Sequence, residues 1–281
     1  MGLFSVAPSA MNVITPPPPR DVMIIPNAHV QNVTINTNLT VFQQNWRFAQ
    51  QWLNHDAATR KVLELPQVSA QTSVTTAMQT FRTSMQAAAS AAVGRDIVLF
   101  VGHGATQTGT SQAAFDSMPE SGMMATHRCL INQDVLDLPN IAAKKPDGTW
   151  APTPGTGVGH LTVSQAEVDA KSPRYDALAA SGAAMKTAGV ARFIILSCNV
   201  GTAHAFIDNL AGLLGVPVVG YQGFVAVGET EFTTGTTKRV LEQIWITQYH
   251  DAPSTDRPPD GDAAHPSFHE VPSYSQYQHS P

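Results

Sequence analysis

The sequence predicts an α/β fold: a mainly parallel sheet flanked by helices, with a long irregular insertion. Three observations carry this. Short apolar runs recur along the chain, among them "DVMIIP" (21–26), "DIVLFVG" (96–102), "RFIIL" (192–196) and "VPVVGY" (216–221). Unbroken runs of this kind suit strands covered on both faces, as in a parallel sheet. Between them lie stretches with helical spacing and short connections, the pattern of strand–helix–strand units. Composition allows the core, with 43% hydrophobic and 13% charged residues in a chain of 281.

The elements follow in order. Residues 1–20 read as a flexible arm that ends in the polyproline run Pro16 to Pro19. An α/β domain then spans 21–250, opening with the strand at 21–26. "LTVFQQNWRFAQQWLNH" (39–55) sets Val41, Trp46, Phe48 and Leu53 among polar residues at helix-like spacing. Residues 68–93, rich in Ala, Gln, Met and Ser, predict a second helix with Gly94 as its stop. "RDIVLFVGHG" (95–104) reads as one strand closed by glycines. Residues 105–172 carry many Gly, Pro, Thr and Ser residues and read as an insertion of hairpin or loop character. Insertions of that length are often functional. Regularity returns at 172–189, a helix with Ser172 as N-cap and Pro173 at its first position. A strand at 191–197, a helix at 201–215 and a strand at 216–221 follow. "GFVAVGE" (223–229) reads as a further strand, and 236–249 as a helix or an edge strand. From Asp251 to Pro281 the chain is rich in Pro, Ser, His and Asp, which predicts a disordered tail.

Several function classes fall away on composition. The formal net charge is −5 and no Lys/Arg cluster stands out, so no nucleic-acid partner is expected. No apolar stretch of about 18 residues exists, so no membrane span is expected. The first twenty residues lack the basic-then-apolar pattern of a secretory signal. Val6 stands where a myristoylation site needs Ser or Thr. A cytoplasmic protein, or one exported without a classical signal peptide, is expected. Two cysteines, Cys129 and Cys198, make neither a disulfide scaffold nor a zinc pattern.

Two apolar runs end in residues capable of chemistry. "DIVLFVGHG" delivers His103 between Gly102 and Gly104, and "RFIILSCNVG" delivers Cys198. On parallel neighbouring strands both would emerge on one rim of the sheet, where α/β proteins collect their functional groups. An unperturbed thiol has a pKa of about 8.5, and the thiolate is the nucleophile. An adjacent imidazole takes its proton or stabilises the anion. A helix starting near Gly201 would aim its positive end at Cys198. The backbone N–H groups of Gly104 and Cys198 are candidates for an oxyanion hole.

An apolar strand ending in His-Gly, followed by one ending in Ser-Cys, resembles the caspase-like cysteine peptidases. "LSCNVGTAHAFIDNLAGLLGVPVVGY" is similar in particular to the toxin-processing and effector domains of bacteria. The resemblance covers about 95–225. It implies a caspase-like fold, Cys198 as nucleophile, His103 as general base, and Gly104 in the oxyanion hole. It implies a peptide or protein substrate and no cofactor or metal. By the same resemblance Ser197, Tyr221, Gln222 and Glu229 are candidate substrate contacts, and Asp208, Glu229 and Glu231 would favour a basic residue before the cut. The arm, the tail and the insertion suggest gating or cleavage within the chain itself.

Other readings compete. A caspase-like binding module without catalysis would keep the same rim. A zinc site built from Cys198, His103, His127 and Cys129 is chemically allowed, but its spacing matches no known finger or ribbon. An α/β-hydrolase elbow needs small residues two before and two after the nucleophile, where this chain has Leu196 and Val200. Its base should also follow the nucleophile, and His103 precedes Cys198.

Overall fold

The structure, a computed structural model, describes residues 19–26, 49–50, 52–54, 56–66, 72–100, 103–105, 123–126, 129–155, 162–196, 200–221, 224–234, 237–247 and 276–279. In chain order the strands are β1 (Asp21–Pro26), β2 (Arg60–Leu65), β3 (Asp96–Leu99), β4 (His103–Ala105), β5 (Met123–Thr126), β6 (Cys129–Ile131), β7 (Ala142–Lys144), β8 (Trp150–Pro152), β9 (Arg192–Ile195), β10 (Val218–Tyr221), β11 (Phe224–Thr234), β12 (Thr237–Thr247) and β13 (Gln276–His279). The helices are α1 (Val74–Ala91), α2 (Gln133–Leu136), α3 (Leu138–Ile141), α4 (Gln165–Ala188) and α5 (His204–Leu214).

The main sheet has the order β2-β1-β3-β9-β10-β13. Its first five strands run parallel and β13 joins antiparallel. Successive strand residues point to opposite faces, and both faces are covered. Val22, Ile24, Ile97, Leu99, Phe193, Ile195 and Val218 enter one core with residues of α1, α4 and α5. Met23, Ile25, Val98, Ile194 and Val219 enter a second core with Ala49 and Trp52, which lie in a helical stretch (49–50 and 52–54). The two-faced cover follows from the topology. The chain steps from β1 outward to β2, then back past β1 to β3, and right-handed crossovers in opposite directions fall on opposite faces.

Helix α1 matches its sequence signal. Ser73 caps it by accepting the Thr76 N–H at 3.2 Å, and Ala77, Met78, Phe81, Met85 and Ala88 form its buried stripe. Gly94 follows in the left-handed region, with φ 65°. Helix α4 departs from the expectation. It starts at Gln165, seven residues before the predicted Ser172 cap, and Pro173 lies inside it. The cause is an earlier N-cap: Ser164 accepts the Glu167 N–H at 3.2 Å, and Glu167 pairs with Lys171 at 2.8 Å. That start outweighs the interior proline, which removes one helical hydrogen bond. The helix closes where predicted, with Gly189 at φ 63°. The Gly189 N–H reaches the Lys186 carbonyl and the Val190 N–H reaches Met185, a Schellman ending.

Other departures are physical as well. The run 95–104 is not one strand. The ladder ends near Phe100, and β4 belongs to a separate antiparallel sheet of order β4-β5-β6. Between 105 and 172 lie β5, β6, α2, α3 and the β7–β8 hairpin, together with the first turns of α4. The strand β2 was not anticipated. Its "RKVLEL" is half-buried, as an edge strand is, and its charges suit an unpaired edge. Within 236–249, Thr237–Thr247 form a strand, β12, pairing β11 over eleven residues each. The tail from 251 was read as disordered, but Gln276–His279 pair with Val218–Tyr221. Residues 1–18 and 251–275 lie outside the described residues.

These contacts set where α4 begins. Ser164→Ala should lower the unfolding free energy by about 1 kcal/mol, the usual worth of such a cap. Ser172→Ala, within the helix, should leave it within about 0.5 kcal/mol. Urea melts of the two variants check this.

Candidate active site

The site under test lies at the carboxyl edge between β3 and β9. These strands are parallel neighbours, with Asp96 opposite Arg192 and Leu99 opposite Ile195. The pairing is tied at both ends. At the amino end Arg192 holds Asp96 through two nitrogens, Nε to Oδ1 at 3.1 Å and Nη2 to Oδ2 at 2.5 Å. The hydrogen bond to Asp96 pushes the Arg192 pKa up, which keeps the guanidinium charged. The Asp96 N–H also donates to Asp21 at 3.2 Å, linking β1. At the carboxyl end the Leu196 N–H donates to the Leu99 carbonyl, and the Phe100 N–H to Ile24, each at 2.9 Å.

Beyond those last rungs the chain leaves the sheet twice, side by side. One exit runs from Phe100 to His103, the first residue of β4. The other runs from Leu196 through 197–199 to a 3-10 turn at Val200–Thr202. Ser197 and Cys198 therefore lie outside the described residues, but both their flanks are anchored. Leu196 and Val200 are buried. The turn itself is clamped on β10. A Cβ on Gly201 would stand 2.3 Å from the Gly220 carbonyl oxygen, so only glycine allows this backbone contact. Helix α5 starts at His204 rather than near Gly201, and its N-cap Ala203 offers no side-chain acceptor. His204 is exposed at that first turn.

The remaining candidates scatter. His103 pairs with Ala125, and Gly104 with Met124. Strand β4 is the edge of its small sheet, so alternate N–H groups along it face away from β5. Cys129 lies on β6 of that sheet, opposite Thr126 and separated from β4 by β5. Two strand spacings put β6 about 10 Å from β4. Tyr221, expected to touch substrate, is instead 6% exposed in the second core with Trp52, Phe100 and Leu196. Strand alternation sends its ring inward. Glu229 sits on β11 opposite Glu242. Gln222 lies outside the described residues. Among the described residues no group of three His, Cys, Asp or Glu side chains converges. No described helix is long and apolar enough to cross a membrane.

Two features of the edge escaped the sequence reading. The Asp96–Arg192 clamp had a signal, since both apolar runs open on a charge of opposite sign. The Gly201–Gly220 contact had none, because the two glycines meet only in the fold. Across known protein families, curated proteins and solved structures, none matches this chain.

Gly201→Ala should cost about 1–3 kcal/mol of stability, as overpacking does. Gly212→Ala, on an open helical face with nothing within 4 Å, should stabilise by about 0.5–1 kcal/mol. Thermal melts of the pair separate a special contact from a general intolerance of α5 and its approach.

Proposed function

We propose that this chain is a caspase-like cysteine endopeptidase. The Cys198 sulfur attacks a peptide carbonyl, and His103 accepts the thiol proton. His103 then gives that proton to the leaving amine as the C–N bond breaks. Water, deprotonated by the same imidazole, hydrolyses the thioester and releases the acid. N–H groups of Cys198 and of the open edge of β4, with Gly104 as the candidate, stabilise the tetrahedral oxyanion. The chemistry uses no metal or organic cofactor.

One observation carries the reading: β3 and β9 are parallel neighbours, with Leu99 level with Ile195. The segments bearing His103 and Cys198 therefore leave adjacent positions on one edge. Functional groups of open α/β sheets collect outside the carboxyl ends of the strands; the sheet's connections diverge one strand away, at the β1/β3 boundary, where β1 leads outward to β2 and β3 leads the other way to β9.

The test is intact-mass analysis after treatment with a peptidyl electrophile directed at thiols. One adduct per chain should form, mapping to Cys198, and His103→Ala should slow its formation by about 100-fold or more. Equal labelling of Cys129, with no effect of His103→Ala, would remove the dyad and leave a non-catalytic binding module.

A further inference from the structure

We propose a second site away from the sheet edge: a groove of about 510 Å³ between α1, α4 and the β7–β8 turn that takes a small organic carboxylate with an apolar body. None of its lining residues belongs to β3, β9 or the segments that follow them. Its volume falls within the usual range for small-molecule sites.

The chemistry points to an anion. Arg82 of α1 lines the groove, and its Nε is buried without a hydrogen-bond partner. Among the described residues its guanidinium pairs with no carboxylate. A desolvated donor left unpaired is costly, and an arriving acceptor recovers that cost. The acids lining the groove are already engaged. Asp176 accepts from Lys144 Nζ at 2.7 Å and Trp150 Nε1 at 3.1 Å, and Asp169 accepts from Gln165 Nε2 at 2.7 Å. These same acids argue against a polyanion, which they would repel. A single carboxylate instead matches the planar fork of one guanidinium.

The apolar part has a preformed seat. Met78, Trp150 and Pro173 line the groove. The indole of Trp150 is fixed by its bond to Asp176, by T-shaped packing with the Tyr175 ring at 5.4 Å between centroids, and by Lys144 Nζ 5.6 Å from its centroid.

The test is calorimetric titration of the full chain with N-acetyl-L-phenylalanine and, separately, with its neutral amide. The acid should bind with a Kd at or below about 1 mM, and the amide at least about tenfold more weakly, as loss of a charge-assisted hydrogen bond implies. Arg82→Gln should bring the same loss, with Arg82→Lys intermediate. Equal affinities for acid and amide overturn the proposal, as does an unchanged affinity in a folded Arg82→Gln variant or no binding by about 10 mM. The acid–amide comparison decides the matter on the unaltered chain if the variant does not fold. Modification of Cys198 should leave this binding intact. Binding abolished by that modification places the ligand at the thiol and overturns the groove, while the peptidase reading stands.

Discussion

The β3–β9 ladder is the constraint on which the rest depends. It sets two apolar strands side by side in register, and it places two chain exits on one edge. The ion pair between Asp96 and Arg192 sits directly across the ladder at its entry. A half-exposed pair of this kind contributes at most about 1 kcal/mol to stability. Its larger role is register, because a slip of one residue would turn Phe193 and Ile195 out of one core and into the other. Everything at the carboxyl edge inherits its position from that alignment.

The edge is also braced from the far side. Val200 plugs the core shared by α1, α4 and α5, and Gly201 lies against the backbone of β10. Leu196 and Val200, the described residues on either side of that exit, are thus both buried.

Much of this was legible, and the failures are instructive. Strands β1, β9 and β10 and helices α1 and α5 announced themselves through unbroken apolar runs or a one-sided stripe. These signals are local, so the sequence carries them. Strand β3 was read too long because Val101 extends its apolar run past the point where the ladder stops. Only the partner strands decide that limit. Helix α4 was read too short because Pro173 looks like a beginning, while the quieter Ser164 and Glu167 pair sets the true start. Strand β13 was missed because "QYQH" has no apolar alternation and its partner is remote in sequence. At the site, the adjacency of the two exits followed from the fold class, whereas the burial of Tyr221 depended on which way β10 turns its alternate residues.

The pairing of β13 with β10 has a consequence in time. Strand β10 is buried on all four of its residues, yet until Gln276–His279 arrive one of its edges is open. Synthesis at about 5–20 residues per second takes roughly several seconds to cover the stretch from Tyr221 to Gln276. During that interval the nascent sheet presents an apolar strand with a free row of backbone groups, the form most able to recruit another chain. Closure is therefore a late step of long sequence separation, slow by topology. Strand β13 acts as the sheet's seal, and the fold is exposed to misassembly for as long as it takes to be delivered.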